Sequence, residues 1–361
     1  MRLLYAMHVN WHWIRQRPQV LAEQLAHHHT MHLLHYRMFH RHHRAADSTP
    51  LFPAQELQRL PERIKRLGRP MQAFNTAWLS QQFGAAARKF QPDAVWVTHP
   101  DFMPALRALP LLPVVYDCMD DHAAFNEAGT EAMLEAEREL LARADLVFFS
   151  SATLAARVRA RATVRRSEVV NNGVADSLLD RQALPSRPTV AGDGLRLGFF
   201  GTVSHWFDWA LVLRLLDALP TARLEIAGPV ETALPKHQRI HHAGVLPHSA
   251  LASFVTGCDV LVMPFIMNQL VEAVDPVKLY EYVAFGRPAL APRYAESERF
   301  APHIALYRDA AEALGTLEAW AEAAPARTDA QTFLRANTWQ QRMAQISGSL
   351  ASVSLASTSQ A

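Results

Sequence analysis

The sequence predicts an α/β protein made of two domains, each built on a parallel β-sheet. Short apolar runs alternate with segments of helical pattern in the first half of the chain, and the same alternation starts again in the second half. The chain has 361 residues, half of them hydrophobic. Since a single domain usually has about 100–200 residues, this chain is long and apolar enough to bury two cores.

The first half is predicted to open with a strand at residues 2–7, which leads through a polar and aromatic loop into a helix at 15–26. The later strands and helices of this half are predicted at 94–98 (strand), 113–116 (strand), 131–140 (helix), 145–149 (strand) and 152–159 (helix). Loops at the carboxyl ends of such strands are where open α/β sheets bind ligands. The loops of this half are therefore candidate sites.

The second half restarts the pattern with a strand that reaches a glycine, Gly201. Its strands are predicted at 195–201, 224–228, 240–245, 259–265 and 288–291, and its helices at 206–219, 249–256, 276–286 and 330–346. Glycines at strand ends, such as Gly201 and Gly228, let the backbone approach a ligand closely, although each could equally serve a tight turn.

The domain boundary is predicted in the Pro- and Gly-rich segment at 181–194. This gives an N-terminal domain at 1–184, joined by the C-terminal helix at 330–346, and a C-terminal domain at 185–329. The Ser- and Ala-rich tail at 347–361 is expected to be disordered.

Composition and charge exclude several classes of function. The net charge of +2 gives no indication of nucleic-acid binding. The two cysteines, Cys118 and Cys258, lie far apart without metal-ligand spacing, which is typical of a reduced, cytoplasmic protein. No run reaches the roughly 18 apolar residues of a spanning helix. Any membrane contact is therefore expected to be peripheral.

The stretch at 275–288 has the strongest functional pattern. Proline suits a first helical turn, so a helix is predicted to begin near Pro276 with Asp275 as its cap. Lys278 and Glu281 then share one face. Lys278 lies in the first turns, where backbone N–H groups and the helix dipole favour a phosphate. Glu281 is placed to accept hydrogen bonds from ribose hydroxyls. The alternative is an exposed Lys–Glu pair at helical spacing.

An acid-rich loop follows the strand at 113–116 and contains Asp117, Asp120, Asp121 and His122. Three carboxylates and an imidazole at a strand end are costly unless they are solvated or used. The loop is therefore a candidate catalytic group. Alternatively, one aspartate caps the next helix and the others are exposed.

The loop after the first strand holds Asn10 and Trp11, and Arg17 follows in the next helix. We interpret these three residues as candidate acceptor or sugar contacts, because an indole can stack on a sugar ring. Packing of the aromatic ring in the core is the alternative.

Two further segments have a marked composition. Histidines crowd residues 27–43, and His28 and His32 have the spacing of helix-borne zinc ligands, but no Glu or Cys completes a known pattern. We expect a solvated surface and no metal. Residues 55–90 mix basic and apolar side chains, which suits either contact with an anionic membrane surface or helices packed on their own domain.

Several short segments carry a family resemblance through their order and spacing. They are Arg17-Pro18-Gln19, Val114 to Asp121, Asn172-Gly173-Val174, Gly198 to Gly201 with Trp206-Phe207-Asp208, Ile226 to Pro229, Pro276 to Tyr282 with Gly286-Arg287-Pro288, and Asn337-Thr338-Trp339. Together they resemble the GT-B glycosyltransferases of the family four and family one group, close to bacterial cell-surface polysaccharide transferases of the teichuronic-acid type. The resemblance implies two Rossmann-like domains facing across a cleft, with the donor nucleotide on the C-terminal domain and the acceptor mostly on the N-terminal one.

The resemblance also implies roles for residues of the donor side. Lys278 would contact the donor phosphates, Glu281 the ribose hydroxyls, and the Gly244-Val245-Leu246 loop the base through its backbone. Gly201 is a further candidate of the donor site. The last helix, around Trp339, would cross back onto the N-terminal domain.

This sequence departs from the family pattern at two places. Ala273 stands where many members have a first glutamate, and Ser204-His205-Trp206 replaces the usual Arg and Lys after the first glycine. The phosphate contact therefore depends more on Lys278, and the stereochemistry is left open. A retaining enzyme would rely on donor phosphate and backbone groups, whereas an inverting one needs a base from the acid-rich loop.

The sequence thus predicts a cytoplasmic glycosyltransferase of surface polysaccharide or exopolysaccharide biosynthesis. It would need no metal or other cofactor and would move a sugar from a nucleotide diphosphate to a saccharide or lipid-linked acceptor, with possible peripheral contact at the inner face of the membrane. Two alternatives are a nucleotide-sugar epimerase of the same fold and a non-catalytic sugar-binding subunit.

Overall fold

The computed structural model shows two compact units. The first contains Met1–Asn171 and Trp339–Ala361, and the second contains Asn172–Thr338. The structure describes residues 1–37, 49–65, 67–109, 112–124, 130–179, 194–323 and 329–358.

The first unit is organised around a seven-stranded parallel sheet in the order β3-β2-β1-β4-β5-β6-β7. Its strands are β1 (Arg2–Met7), β2 (Thr30–Tyr36), β3 (Ala54–Leu57), β4 (Ala94–Val97), β5 (Val114–Cys118), β6 (Leu146–Phe149) and β7 (Ser167–Val169). Its helices include α1 (Arg17–Ala26), α2 (Glu62–Lys65), α3 (Arg69–Phe90), α4 (Met103–Arg107), α5 (Thr130–Arg143) and α6 (Ala152–Arg161).

The strands of this sheet form the centre of the first core. Because helices cover both faces of a parallel sheet, its central strands are buried along nearly their whole length. Tyr5, Trp96 and Phe148 on β1, β4 and β6 are fully buried and stack, with ring centroids 5.8 and 5.4 Å apart. Strand β2 is not predicted from the sequence, because histidines, which favour a solvated surface, are interspersed with its buried apolar residues.

The second unit contains a six-stranded parallel sheet in the order β10-β9-β8-β11-β12-β13. Its strands are β8 (Arg196–Phe200), β9 (Arg223–Ala227), β10 (Ile240–His242), β11 (Val260–Val262), β12 (Ala289–Pro292) and β13 (Ala305–Tyr307). Its helices are α7 (Trp209–Ala218), α8 (Leu251–Thr256), α9 (Gln269–Glu272), α10 (Val277–Phe285), α11 (Ala310–Glu322) and α12 (Gln331–Ala336).

The boundary between the units lies at Asn171 and Asn172, earlier than the predicted boundary at 184/185. Asn172 is held in the second unit, because its backbone N–H donates to the Asp275 carboxylate and its side-chain amide donates to the Asp275 carbonyl at 2.8 Å. The predicted linker at 181–194 lies outside the described residues, apart from Gly194.

The predicted helix at 330–346 is two helices, α12 in the second unit and α13 (Trp339–Thr358) in the first. The break falls at Asn337 and Thr338, where Val174 forms a parallel bridge with Thr338. Trp339 and the buried residues that follow it on α13 pack in the core of the first unit beside α1. Helix α13 also extends through most of the tail at 347–361, so the expected disorder is wrong as far as Thr358.

The described helices offer no candidate membrane span. None combines the length and the apolar character that crossing a bilayer requires.

Candidate active site

Helix α10 begins after Pro276 and ends at Gly286, where a left-handed conformation (φ +64°) closes it. The predicted cap is wrong, because the Asp275 side chain makes no capping hydrogen bond. Its buried carboxylate instead accepts from the Tyr280 hydroxyl at 3.4 Å and pairs with Arg299. A buried carboxylate needs such partners, so Asp275 anchors the start of α10.

Lys278 projects from the first turn of α10 to the end of β8. Its Nζ lies 5.7 Å from the ring centroid of Phe199 and 5.6 Å from that of Phe265. Burial lowers the pKa of Lys278 below its ordinary value, while nearby Glu281 acts in the opposite direction. The ammonium group is therefore desolvated and favourably placed to contact an anion.

Gly201 makes this position of Lys278 possible. The residue follows β8 with φ +129°, a conformation that favours glycine. A Cβ at Gly201 would lie 2.8 Å from Lys278 Nζ and closer still to Cε, so it would displace the side chain. Gly201 therefore leaves room for the Lys278 side chain at the end of β8.

Glu281 points to a different neighbour. Its Oε1 lies 3.5 Å from Nε2 of His248. Both Lys278 and Glu281 belong to the described part of the chain, and the lysine ammonium lies more than 4 Å from the Glu281 carboxylate. The two side chains therefore form no ion pair. The alternative of a Lys–Glu surface pair is therefore wrong.

The backbone beside Lys278 is compact. Gly228 (φ +133°) ends β9, and a Cβ there would lie 2.8 Å from the Gly201 carbonyl carbon. Its N–H donates to the Gly244 carbonyl at 2.8 Å. The partly buried Val245 and Leu246 follow directly. The structure therefore places the predicted donor-site glycines and the predicted base loop at the carboxyl edge of one sheet.

Two departures from the family pattern remove charged side chains from this edge. Ala273 is buried at the end of α9 and supplies no carboxylate. In the β8–α7 loop, Ser204 is buried and His205 is exposed, with its ring 4.8 Å from that of Trp206. Neither Arg nor Lys occurs among these three residues, so they add no cation beside Lys278.

In the first unit, Asp117 forms a buried ion pair with Arg17. Asp117 is 0% exposed and Arg17 is 2% exposed. Arg17 donates from Nη2 and Nε to the carboxylate at 2.7 and 3.0 Å, and from Nη1 to the Val170 carbonyl at 2.7 Å. This contradicts the predicted roles of Asp117 as a base and Arg17 as an acceptor contact, since neither reaches solvent.

Asp121 is also held in a charged network. Its carboxylate lies 2.8 Å from Arg161 and 3.5 Å from Arg157. Arg161 in turn pairs with the buried Glu137 at 3.0 Å. The residue is 4% exposed, so this neutralised carboxylate ties the loop to α5 and α6. The catalytic role predicted for Asp121 is contradicted as well.

Asp120 differs from both neighbours. It is partly exposed, and among the described residues no ion pair or hydrogen bond engages its carboxylate. Burial, followed by the negative charges of Asp117 and Asp121, raises the pKa of Asp120 to about 6. Asp120 is thus the carboxylate of the loop that retains the properties of a base.

His122 belongs to a histidine cluster that the sequence only partly indicated. The rings of His8 and His99 lie 4.7 Å apart, and those of His99 and His122 lie 4.8 Å apart. Burial lowers the pKa of His8 and of His99 to about 3 and that of His122 well below its ordinary value. These lowered pKa values favour uncharged imidazoles at neutral pH, and the shared signal in the sequence is a histidine in the segment that follows each of β1, β4 and β5.

Asn10 and Trp11 are structural. The Asn10 amide donates to the Tyr36 carbonyl at 2.7 Å and to Glu56 at 3.2 Å. Trp11 is 3% exposed and packs edge-to-face on Phe52. The predicted sugar contacts of these residues are contradicted, because the polar atoms of Asn10 are engaged and the indole lies in the core.

The histidine-dense segment is only partly the solvated surface that we expect, because His35 is buried on β2. His28 lies in a turn after α1, and His32 lies on β2. His40, His42 and His43 fall outside the described residues. In the part of the chain that the structure describes, no three His, Cys, Asp or Glu side chains are grouped to hold a metal ion.

The segment at 55–90 shows features of both interpretations. Phe83 on α3 is fully buried in its own unit. Leu67 and Phe74, however, are 75% and 55% exposed, near the exposed Arg63 and Arg69 in sequence. The N-terminal part of this segment therefore presents apolar and basic groups to solvent.

Comparison with solved structures identifies the fold. A sucrose-phosphate synthase from Thermosynechococcus elongatus superposes with a TM-score of 0.74 at 13% identity, covering 99% of this chain and 100% of the other. The chain has the GT-B fold. The apo lipopolysaccharide outer core galactosyltransferase WaaB, at 12% identity and a TM-score of 0.65, covers 98% and 99%. The predicted fold class is confirmed.

The sequence of this GT-B protein is also similar to glycosyltransferases. Residues 210–348 match a family model described as "Glycosyl transferase-like". A Bacillus subtilis (strain 168) protein named as the teichuronic acid biosynthesis glycosyltransferase TuaH is 27% identical over 255 residues, 64% of this chain. The match spans 64%, slightly under two thirds, of the relative's length. The predicted resemblance is confirmed.

Proposed function

We propose that this GT-B chain is a glycosyltransferase that moves a sugar from a nucleoside diphosphate to a saccharide or lipid-linked acceptor in surface polysaccharide biosynthesis. The sequence similarity to a teichuronic acid biosynthesis glycosyltransferase supports the activity and the setting. The main support for the donor site is the placement of two side chains on one helix at the carboxyl edge of the second sheet. Lys278 and Glu281 leave this helix in different directions, so each can contact a different part of a donor.

Each of these side chains suits one part of a nucleotide sugar. Lys278 lies in the first turn of α10, where burial desolvates its ammonium group, and it would neutralise the diphosphate. Backbone N–H groups at the start of the helix would donate further hydrogen bonds to the phosphate oxygens. Glu281, which forms no ion pair with Lys278, would accept hydrogen bonds from the ribose hydroxyls. Val245 and Leu246 would contact the base through their backbone.

Uridine nucleotides are the first donors to test. Two proteins of similar fold were solved with them: a trehalose-6-phosphate protein from E. coli bound with UDP-2-fluoro glucose, and an alpha-glucosyltransferase in complex with UDP. Their TM-scores are 0.59 and 0.56. We propose a UDP-sugar as donor for this chain.

We further propose that Asp120 is the general base of an inverting transfer. It is the accessible carboxylate of its loop, and its pKa of about 6 makes it a stronger base than an ordinary aspartate while it remains mostly ionised at neutral pH. Product with inverted anomeric configuration is expected. Retention of configuration would remove this role from Asp120.

The reaction is proposed to need no metal, since Lys278 and backbone donors would neutralise the leaving diphosphate. Full activity after dialysis against EDTA is the expected result. Loss of activity that Mg²⁺ or Mn²⁺ restores would overturn this part of the proposal.

A cytoplasmic location at the inner face of the membrane is also part of the proposal. Cys118 and Cys258 are free and buried, as is usual in a reducing compartment. The exposed Leu67 and Phe74 beside basic residues suit an anionic lipid surface. We expect co-sedimentation with phosphatidylglycerol vesicles that weakens with salt, and none with phosphatidylcholine. Equal binding to both vesicles, or to neither, would contradict it.

A thermal-shift screen tests the donor site directly. UDP, GDP, ADP, CDP and dTDP should be compared at millimolar concentration, because a ligand that binds only the folded chain raises its melting temperature. One of them is expected to stabilise the wild-type chain and to stabilise Glu281→Ala less. If none does, or if Glu281→Ala responds like the wild type, the donor-site assignment is wrong.

A further inference from the structure

Glu281 has a polar neighbour whose importance the sequence did not show. His248 opens the short 3₁₀ turn His248–Ala250, and its Nε2 faces Glu281 Oε1 at 3.5 Å. The His248 side chain is 41% exposed and that of Glu281 is 19% exposed. The contact therefore lies at the surface of the second unit, where a ligand has access to both groups.

The position of His248 in the chain connects two parts of the proposed donor site. His248 lies two residues after Leu246, so the loop that is proposed to contact the base continues directly to this histidine. The start of this loop is fixed, since the Gly244 carbonyl accepts from the Gly228 N–H and the His242 ring contacts the Gly228 carbonyl at 2.7 Å. The loop is thus hydrogen-bonded at its start to the residue after β9, and its other end places the His248 imidazole next to the Glu281 carboxylate.

Holding this carboxylate has a physical consequence. A free glutamate side chain loses rotamer freedom when it binds a ligand, and that loss weakens binding. A contact between the His248 N–H and Oε1 would order the carboxylate beforehand. Since a carboxylate has about four lone-pair sites, Oε2 and the remaining sites of Oε1 stay available for two neighbouring hydroxyls.

We propose that His248 is a positioning residue that holds the Glu281 carboxylate for the 2′- and 3′-hydroxyls of the donor ribose. The chain would then prefer ribonucleoside to 2′-deoxyribonucleoside diphosphates, and His248 would contribute to that preference through Glu281. The inference rests on the donor site proposed above.

Calorimetric titration with UDP and 2′-deoxy-UDP measures this preference; the corresponding GDP and ADP pairs extend it to other bases. His248→Ala is expected to weaken UDP binding about 3- to 10-fold, the cost of ordering one side chain. It should change 2′-deoxy-UDP binding much less, so the ribose preference falls. In a Glu281→Ala background, the same substitution should have no further effect.

Two variants control for folding and for loss of an imidazole. His241→Ala removes an exposed ring from β10 and should leave both affinities unchanged. His248→Gln keeps an N–H donor and should retain part of the preference. If His248→Ala weakens UDP and 2′-deoxy-UDP equally, or still weakens UDP in the Glu281→Ala background, the positioning role is wrong.

The proposed function fails in a different way. If neither UDP, GDP nor ADP binds the wild-type chain better than its deoxy form, and Glu281→Ala changes no affinity, Glu281 does not contact ribose. That result would overturn the donor site and the role of His248 together. A preference that depends on Glu281 but not on His248 would overturn the second alone.

Discussion

The acid-rich loop of the first unit and the carboxyl edge of the second sheet both gather charged side chains at strand ends, but they arrange them differently. In the loop, Asp117 and Asp121 each meet an arginine within 3 Å. At the second edge, Lys278 and Glu281 leave one helix in different directions, and neither neutralises the other.

The difference separates structural from functional charge. A buried carboxylate that already has a guanidinium partner has little to offer a substrate, and removing either partner leaves an uncompensated charge. Lys278, desolvated beside two aromatic rings, has no such partner among the residues that the structure describes, so a diphosphate would supply the compensating charge. Asp120 lies in the acid-rich loop but resembles the functional charges. Its pKa is raised, and its carboxylate has no arginine partner among the described residues.

The largest expected effect tests the structural class. Asp117→Asn should lower the free energy of unfolding by about 3–5 kcal/mol, because it leaves Arg17 buried without its counter-ion. Urea denaturation measures the change. Glu139→Gln, which breaks the exposed pair with Arg107, should change stability by less than about 1 kcal/mol. A stable Asp117→Asn protein without activity would return Asp117 to the catalytic group.

The next largest effect concerns Asp120 in the acid-rich loop. Asp120→Asn should lower kcat by at least about 100-fold, since an amide cannot accept the acceptor proton. In the wild-type chain, a base with a pKa of about 6 is protonated below that pH, so activity should rise as the pH increases through about 6. Because the charge of Asp121 contributes to the raised pKa of Asp120, the pH–rate profile of Asp121→Asn should still show this rise, but shifted to lower pH. An Asp120→Asn enzyme with normal turnover would exclude Asp120 as the base.

Lys278→Met tests the functional class. Loss of a charged hydrogen bond to phosphate should weaken UDP binding about 10- to 100-fold. Burial lowers the pKa of Lys278, which means that the folded state disfavours the charged form; the methionine variant should therefore melt no lower than the wild type. Lys236→Met, at an exposed site in the same unit, is the control. Unchanged UDP affinity for Lys278→Met would contradict the phosphate contact.

The smallest effect tests how Lys278 is placed. Gly201→Ala introduces a methyl group against the lysine side chain and strains a backbone at φ +129°. UDP affinity should fall about tenfold, because the displaced Lys278 would lose most of a charged hydrogen bond to phosphate. Gly315→Ala is the matched control, because a Cβ at Gly315 on α11 meets nothing within 4 Å. Equal UDP affinity in both variants would show that Gly201 is not needed.

Part of the candidate site could be predicted from local pattern. Pro276 and Gly286 bracket α10 because a fixed proline φ suits a helix start and a left-handed residue suits its end. With that helix defined, Lys278 and Glu281 had to lie about one turn apart. Gly201 and Gly228 could be located at strand ends in the same way.

Other parts depended on contacts between distant residues. Arg17 and Asp117 are 100 positions apart, so no local pattern shows that they neutralise each other. The same holds for His248 and Glu281, and for the histidines that meet after β1, β4 and β5. Such pairs become visible only when the order of the strands is known.

The sequence by itself determined the two α/β units, because the alternation of buried strands and helices is a local property of the chain. It also determined that Lys278 and Glu281 lie about one turn apart on one helix. Only the tertiary structure decided which charges remain available, since burial and a partner's distance depend on residues brought together by folding. That is why four acid-loop residues were candidates in the sequence, whereas Asp120 is the one that the fold leaves open.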